Sequence, residues 1–244
     1  MNKNKQALLT ILETKAIYPV FQPIVDLQNG NVVAYESLSR IESKNIDINI
    51  EELFCLSEAY GCVWKLEKLC RDKVLKASMN KPSGTKIFLN VDGQIFQDSN
   101  FISGFTNRKL EKFGLLNEDI VFEITERTDI ENYVLLQAIM NHYIDQGYQI
   151  ALDDVGAGYS GLNRVVNTTP NYLKADIELV RNIHLSKSKQ SMMKLLVEYC
   201  DEMGLKLIAE GIETQEELEC MGKAIIWVYL TVSLMVYRVK LYNI

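Results

Sequence analysis

Two adjacent carboxylates, Asp153 and Asp154, follow an apolar run from Tyr148 to Leu152 and precede glycines at 156, 158 and 161. The run reads as a buried strand. Neighbouring residues of a strand point to opposite faces, so two aspartates at its tip can flank one point from two directions. Unpaired, they would repel and one would hold a proton; a divalent cation removes that conflict by its charge. The glycines let the backbone bend sharply and approach a ligand closely. For this peptide alone a plainer reading stays open, because an Asp-Asp pair also caps a helix or starts a turn.

Other strand-like runs end in the same manner. The polar residues at or near their ends are Glu36, Asn90, Glu123, Lys174 and Glu210. Each has a dull explanation: Glu123 or Lys174 in an ordinary ion pair, Glu210 before a helix cap, Asn90 terminating a strand. Their joint placement favours a metal site. Burying so much like charge with nothing between is unfavourable. Oxygen donors without thiolate or imidazole select hard cations, magnesium, manganese or calcium, over zinc or copper. Two such cations held by shared carboxylates suit displacement at phosphorus by an activated water. His142 and His184 fall in helical stretches and read as surface or packing residues.

The elements that must position these residues follow in order. Apolar spacing at Leu8, Leu9, Ile11 and Leu12 marks a first helix. Runs from Tyr18 to Leu27 and Asn31 to Ile41 flank Gln28-Asn29-Gly30, a strong hairpin signal that makes the two strands antiparallel. From Ile50 to Met79 the period is helical, broken at Gly61. Strands are expected over Lys86–Val91, Ile120–Ile124, up to Asp153, Tyr172–Ala175 and Lys206–Ala209, with helices over Ile130–Gln146, Glu178–Met203 and Gln215–Met221. The apolar run after the last helix has room for an eighth strand. Strands alternating with helices call for a parallel sheet, and eight in one domain call for a closed barrel. The fold class expected is therefore α/β, a modified TIM-type (β/α)8 barrel with one antiparallel strand near the N-terminus. In such a barrel the strand ends share one face, where active sites are built.

Composition narrows the classes. The 244 residues, 48% hydrophobic and 24% charged, suit a soluble globular domain. A net charge of -6 gives no footprint for nucleic acid. Five scattered cysteines, at 55, 62, 70, 200 and 220, do not form a disulfide framework and suit a cytoplasmic setting. The longest uncharged run, Ala224 to Tyr237, has 14 residues, short of a membrane span.

Six segments together resemble the EAL-domain family: Tyr35-Glu36-Ser37-Leu38-Ser39-Arg40, Asn90-Val91-Asp92, Glu123-Ile124-Thr125-Glu126, Asp153-Asp154-Val155-Gly156-Ala157-Gly158-Tyr159-Ser160, Lys174-Ala175-Asp176 and Ala209-Glu210-Gly211-Ile212-Glu213-Thr214. The likeness runs from about residue 18 to 219 of a single domain. It implies hydrolysis of cyclic di-GMP to linear pGpG with magnesium or manganese, two ions per site, calcium being a non-productive occupant. Glu36, Asn90, Glu123 and Asp153 are then ligands of a first ion, and Asp153 with Asp154 hold a second. Glu210 becomes ligand or base at the attacking water, and Lys174 orients that water and steadies developing charge. Gln22, Arg40 and Leu38 fall at positions expected against the dinucleotide, with Asp176 and Glu213 supporting residues and Asp176 also assigned to the substrate. Glu126 is expected to anchor the glycine loop, and a homodimer is implied.

The departures are specific. Ser37 replaces an alanine, Asp92 a serine, and Val155, Ala157 and Gly161 stand where Phe, Thr and Ser are usual. After Glu219 the family's Gln-Gly-Tyr pattern is missing, and residues 220–244 form an atypical apolar tail. That tail is expected from a frameshift near codon 222, which re-sequencing of the locus tests. The alternatives to an enzyme are a catalytically silent cyclic di-GMP receptor and the impaired product of such a frameshift. A glycosidase also needs paired carboxylates, but not Asn90, Lys174 and adjacent aspartates.

Overall fold

A computed structural model describes residues 3–42, 46–124, 133–156, 161–224 and 228–232. The elements in chain order are α1 (Lys3–Thr14), β1 (Ile17–Asp26), β2 (Val32–Ile41), α2 (Ile50–Ala59), α3 (Val63–Ala77), β3 (Lys86–Val91), α4 (Phe105–Phe113), β4 (Ile120–Ile124), α5 (Tyr133–Ile144), β5 (Gln149–Val155), α6 (Gly161–Asn167), β6 (Tyr172–Ala175), α7 (Ile177–Val180), α8 (Lys187–Met203), β7 (Lys206–Ile212), α9 (Gln215–Ala224) and β8 (Val228–Val232). The strands close a barrel in sequence order. β1 is antiparallel to both neighbours, β2 and β8, while the pairings from β2 to β8 are parallel.

The reversal of β1 begins at its turn. Asp26 accepts the Gln28 amide at 2.8 Å, Asn29 accepts the Asn31 amide at 2.8 Å, and Gly30 takes φ 72°. Side-chain acceptors and a left-handed glycine fold the chain back over these few residues. Gly61, at φ 62°, similarly separates α2 from α3 as the interrupted periodicity implies.

Inside the barrel, Ile24, Ala34, Phe88, Val121, Ala151, Tyr172 and Ile208 form one apolar cluster, one residue from each of β1 to β7. Phe88 meets Tyr172 edge-on at 5.1 Å. Strand side chains repeat every second residue, so the next inward layer is fixed by this one. A much larger apolar cluster fills the space between the barrel and its helices, with Leu89, Phe122, Leu152, Met140 and Leu207 among its members.

Two expectations are corrected. β5 runs past Asp153 to Val155, and its register against β6 shifts between Leu152 and Val155. The single helix expected over Glu178–Met203 is three pieces: α7, a 3-10 turn at Ile183–Leu185, and α8. The break lies at Asn182, whose φ is 56° and whose amide donates to Glu217 at 2.7 Å. Ser186 then caps α8 by accepting the Lys189 amide. Barrel closure by an eighth strand holds at Val228–Val232; the tail beyond it lies outside the described residues.

Candidate active site at the barrel mouth

Two residues beyond the apolar layer, every strand from β2 to β7 turns polar. Ala34 leads to Glu36, Phe88 to Asn90, Val121 to Glu123, Ala151 to Asp153, Tyr172 to Lys174 and Ile208 to Glu210. β1 runs the other way, so its matching residue is Gln22, two before Ile24 and paired in register with Glu36. Asn90 pairs in register with Glu123. Thus the residues collected from strand ends in the sequence form one ring inside the barrel mouth.

Lys174 is the hub of that ring. Only 1% exposed, its Nζ lies 2.6 Å from Glu210 Oε1, 2.8 Å from Glu123 Oε1, 2.9 Å from Asp153 Oδ1 and 3.5 Å from Glu36 Oε2. Burial alone would lower the lysine's pKa; the carboxylates of Asp153, Glu123, Glu36 and Glu210 reverse this and hold it well above its usual range. The three glutamates are pushed up. Burial raises Glu123 well above the usual carboxylate range, Lys174 opposes the rise, and Glu36 and Asp153 add to it. Burial, countered by Lys174 and reinforced by Asp153, raises Glu36 as well. Glu210 reaches about 8, again through burial first, then against Lys174 and with Asp153 and Glu36.

Two strands change register at their carboxylates. On β5 the shift spans Asp153 and Asp154, and Asp154 adopts φ 56°, a left-handed conformation unusual outside glycine. On β7 it spans Glu210 and Gly211. Gly211 has φ 67°, and a Cβ there would lie 2.4 Å from Ile177 Cδ1, so this position needs glycine. The shifts bring Asp153, Asp154 and Glu210 together, each offering a carboxylate oxygen within 4.8 Å of the others.

These residues fit hard cations. Glu123 is 0% exposed; its Oε1 meets Lys174 at 2.8 Å, and among the described residues its Oε2 has no hydrogen-bond partner. Five carboxylates against one ammonium leave four net negative charges when all are ionised, which two divalent cations would balance. Every donor is oxygen, and none of the described histidines or cysteines belongs to the ring. His142 instead packs edge-on against Phe96 at 5.1 Å.

A cleft of about 350 Å³ opens beside the ring, lined by Glu36, Leu38, Arg40, Asn90, Asp153 and Asp154, and by Phe54 of α2. Leu38 and Arg40 thus reach the cleft as expected residues, and Arg40 Nη1 donates to the Ser39 carbonyl at 2.9 Å. Asp176 does not line it. Its carboxylate accepts the Glu178 amide at 2.7 Å and caps α7, the helix whose Ile177 packs over Gly211. Glu213 is half exposed, 3.6 Å from Arg181 and outside the cleft lining. Glu126 and most of the glycine loop, residues 157–160, lie outside the described residues.

Several contributors escape sequence reasoning. Ser37 Oγ donates to the Phe88 carbonyl at 2.6 Å, bracing β2 on β3 beside Glu36. Asp92 caps a 3-10 turn at Gly93–Gln97 by accepting the Gln94 amide. Glu217 accepts the amides of Asn182, Glu213 and Thr214, binding the loop after Glu210 to the turn before α8. The last was legible in part, since Thr214-Gln215-Glu216-Glu217 has the spacing of a capping box. Glu67 and Arg71 also line the cleft and had no signal at all.

A family model described as "EAL domain" matches residues 5–226. Among curated proteins, the chain is 25% identical over 224 residues to the probable cyclic di-GMP phosphodiesterase PdeG of Escherichia coli K12, covering 90% of this chain and 44% of that one. It is 27% identical over 229 residues to the cyclic di-GMP phosphodiesterase PdeL of the same strain, covering 90% and 62%. The chain therefore spans less than two thirds of the length of these relatives. Among solved structures, a Klebsiella pneumoniae BlrP1 manganese/cy-diGMP complex superposes with TM-score 0.78 and 25% identity over 90% of this chain and 55% of that one. A standalone EAL protein of Vibrio cholerae O395, in its c-di-GMP-bound form, gives TM-score 0.74 over 91% of each chain at 24% identity, a likeness of fold.

Proposed function

The chain belongs to the EAL-domain family, and on that premise we propose that it hydrolyses cyclic di-GMP to linear pGpG with two magnesium or manganese ions. The observation that carries this reading is the ring at the barrel mouth, where Lys174 touches four carboxylates and Glu123 keeps a second buried oxygen, Oε2, without a hydrogen bond. Glu36, Asn90, Glu123 and Asp153 would hold one ion, and Asp153, Asp154 and Glu210 the other. Bound there, the ions supply Lewis acidity towards a phosphodiester and generate a nucleophile from water near neutral pH.

The protein's own groups do the rest. Glu210, at the wet side of the ring, accepts the proton of the attacking water. Lys174 directs its ammonium at the charge that develops on the phosphoryl oxygens, held there by four carboxylates and needing no reorganisation. Arg40, on the cleft wall two residues beyond Leu38, offers a planar donor to a phosphate. Gln22, beside Glu36 in register, offers an amide from the opposite direction. Calcium would fill the same oxygen ligands without supporting turnover.

Relatives named as cyclic di-GMP phosphodiesterases favour this substrate over other phosphodiesters. Incubation with cyclic di-GMP, with and without Mg2+ or Mn2+, is expected to give pGpG only with metal and none from Glu36→Ala. Binding without turnover in the wild type would make the chain a receptor instead.

A further inference from the structure

Helix α3 carries a buried ion pair one turn apart, Glu67 and Arg71, 3% and 4% exposed. Arg71 lies over the rings of Phe122 at 4.8 Å and Trp64 at 5.5 Å, and donates to Thr106 Oγ1 at 2.9 Å. Among apolar neighbours an ion pair is costly to bury, and replacing both partners by apolar side chains is often neutral for stability. Something else must account for a carboxylate here.

The second oxygen of Glu67 supplies it. Glu67 Oε2 accepts the amide of Asp92 at 3.1 Å. The β3–β4 ladder ends at Val91 paired with Ile124, so Asp92 carries the first amide beyond the sheet. Asn90, two residues earlier, faces the ring. The same segment is tied to α3 again further on, where Asp98 Oδ2 accepts the Trp64 amide at 3.1 Å. Helix α3 thus grips the exit of β3 at two points, and Glu67, Asn90 and Asp92 all line one cleft.

We propose that Glu67 is a positioning residue for Asn90, clamping the end of β3 so that the Asn90 amide meets the first cation at the correct depth. The inference rests on the metal-site reading above and adds to it a group that touches neither ion nor substrate. Asp92, a departure from the family pattern, retains the backbone donor that the clamp uses.

Two variants test it. Glu67→Leu/Arg71→Met removes both charges and should stay folded, while Asp92 amide exchange accelerates at least tenfold and the Kd for Mn2+ rises about tenfold. Asp92→Pro deletes the donated hydrogen along with the Asp92 carboxylate, at a backbone φ of -83° that proline accepts, and should weaken Mn2+ similarly. Asp92→Ala keeps the hydrogen and should bind Mn2+ within threefold of wild type. Wild-type Mn2+ affinity in both the double variant and Asp92→Pro overturns the clamp while leaving the metal site intact. A wild-type protein that binds no Mn2+ overturns the site and the clamp together.

Discussion

Two clusters of buried charge reach the cleft, and they are built on opposite plans. Glu67 with Arg71 is balanced, one acid to one base, boxed in by Trp64, Phe122 and Tyr143. The ring around Lys174 is not balanced, with acids from β2, β4, β5 and β7 converging on one ammonium. A fold that only needed stability would not gather four acids around one ammonium in its interior. Balance marks the cluster that holds the structure; imbalance marks the one proposed to take ions.

The largest effect expected from breaking this contrast is on the ring. Glu123→Ala removes a proposed ligand of the first ion and should abolish Mn2+ binding there, read by calorimetry. In the proposed reaction Lys174→Met should cut kcat about 10²- to 10³-fold at saturating metal, because the fixed charge proposed to face the phosphoryl group is lost. Without metal the same variant removes the one cation all four acids share and should lose about 3–5 kcal/mol of stability, read by urea unfolding.

Proton linkage gives a smaller but sharper contrast. Glu210 titrates near 8 in the folded protein against an ordinary value of 4.5, so the folded state binds its proton more tightly than the unfolded chain does. Its contribution to stability is present at low pH and is lost as pH rises from about 4.5 towards 8. Cations demand the deprotonated form, so added Mg2+ should raise Tm more at pH 8 than at pH 6. Equal increments at both values would contradict ion binding at these acids. Smallest of all, the exposed Lys194–Glu198 pair on α8 should contribute under about 0.5 kcal/mol, checked by Lys194→Ala.

How much was legible in the chain follows the same division. The ring could be read because barrel strands repeat every second residue. A polar residue two beyond an apolar inward one, as in Val121-Phe122-Glu123 or Tyr172-Leu173-Lys174, is visible without coordinates. The hairpin and the reversed β1 were legible for a similar local reason, at Asn29-Gly30. Glu67 and Arg71 were not. Four residues apart among Lys65 and Lys68, they have the pattern of a solvated helix pair, and only the packing of Phe122 and Tyr143 from β4 and α5 shows them to be buried. The break at Asn182 was hidden because its partner, Glu217, lies 35 residues away. Local spacing reports what one element does with itself, not what a distant side chain does to it.

The most direct measurement is anomalous scattering from crystals soaked in Mn2+. Two peaks at the barrel mouth are expected, one within ligand distance of Glu36, Asn90, Glu123 and Asp153, and one among Asp153, Asp154 and Glu210. A mouth with no anomalous density, while Lys174 keeps its four carboxylates, would contradict the metal site and leave the ring a purely protein-neutralised cluster.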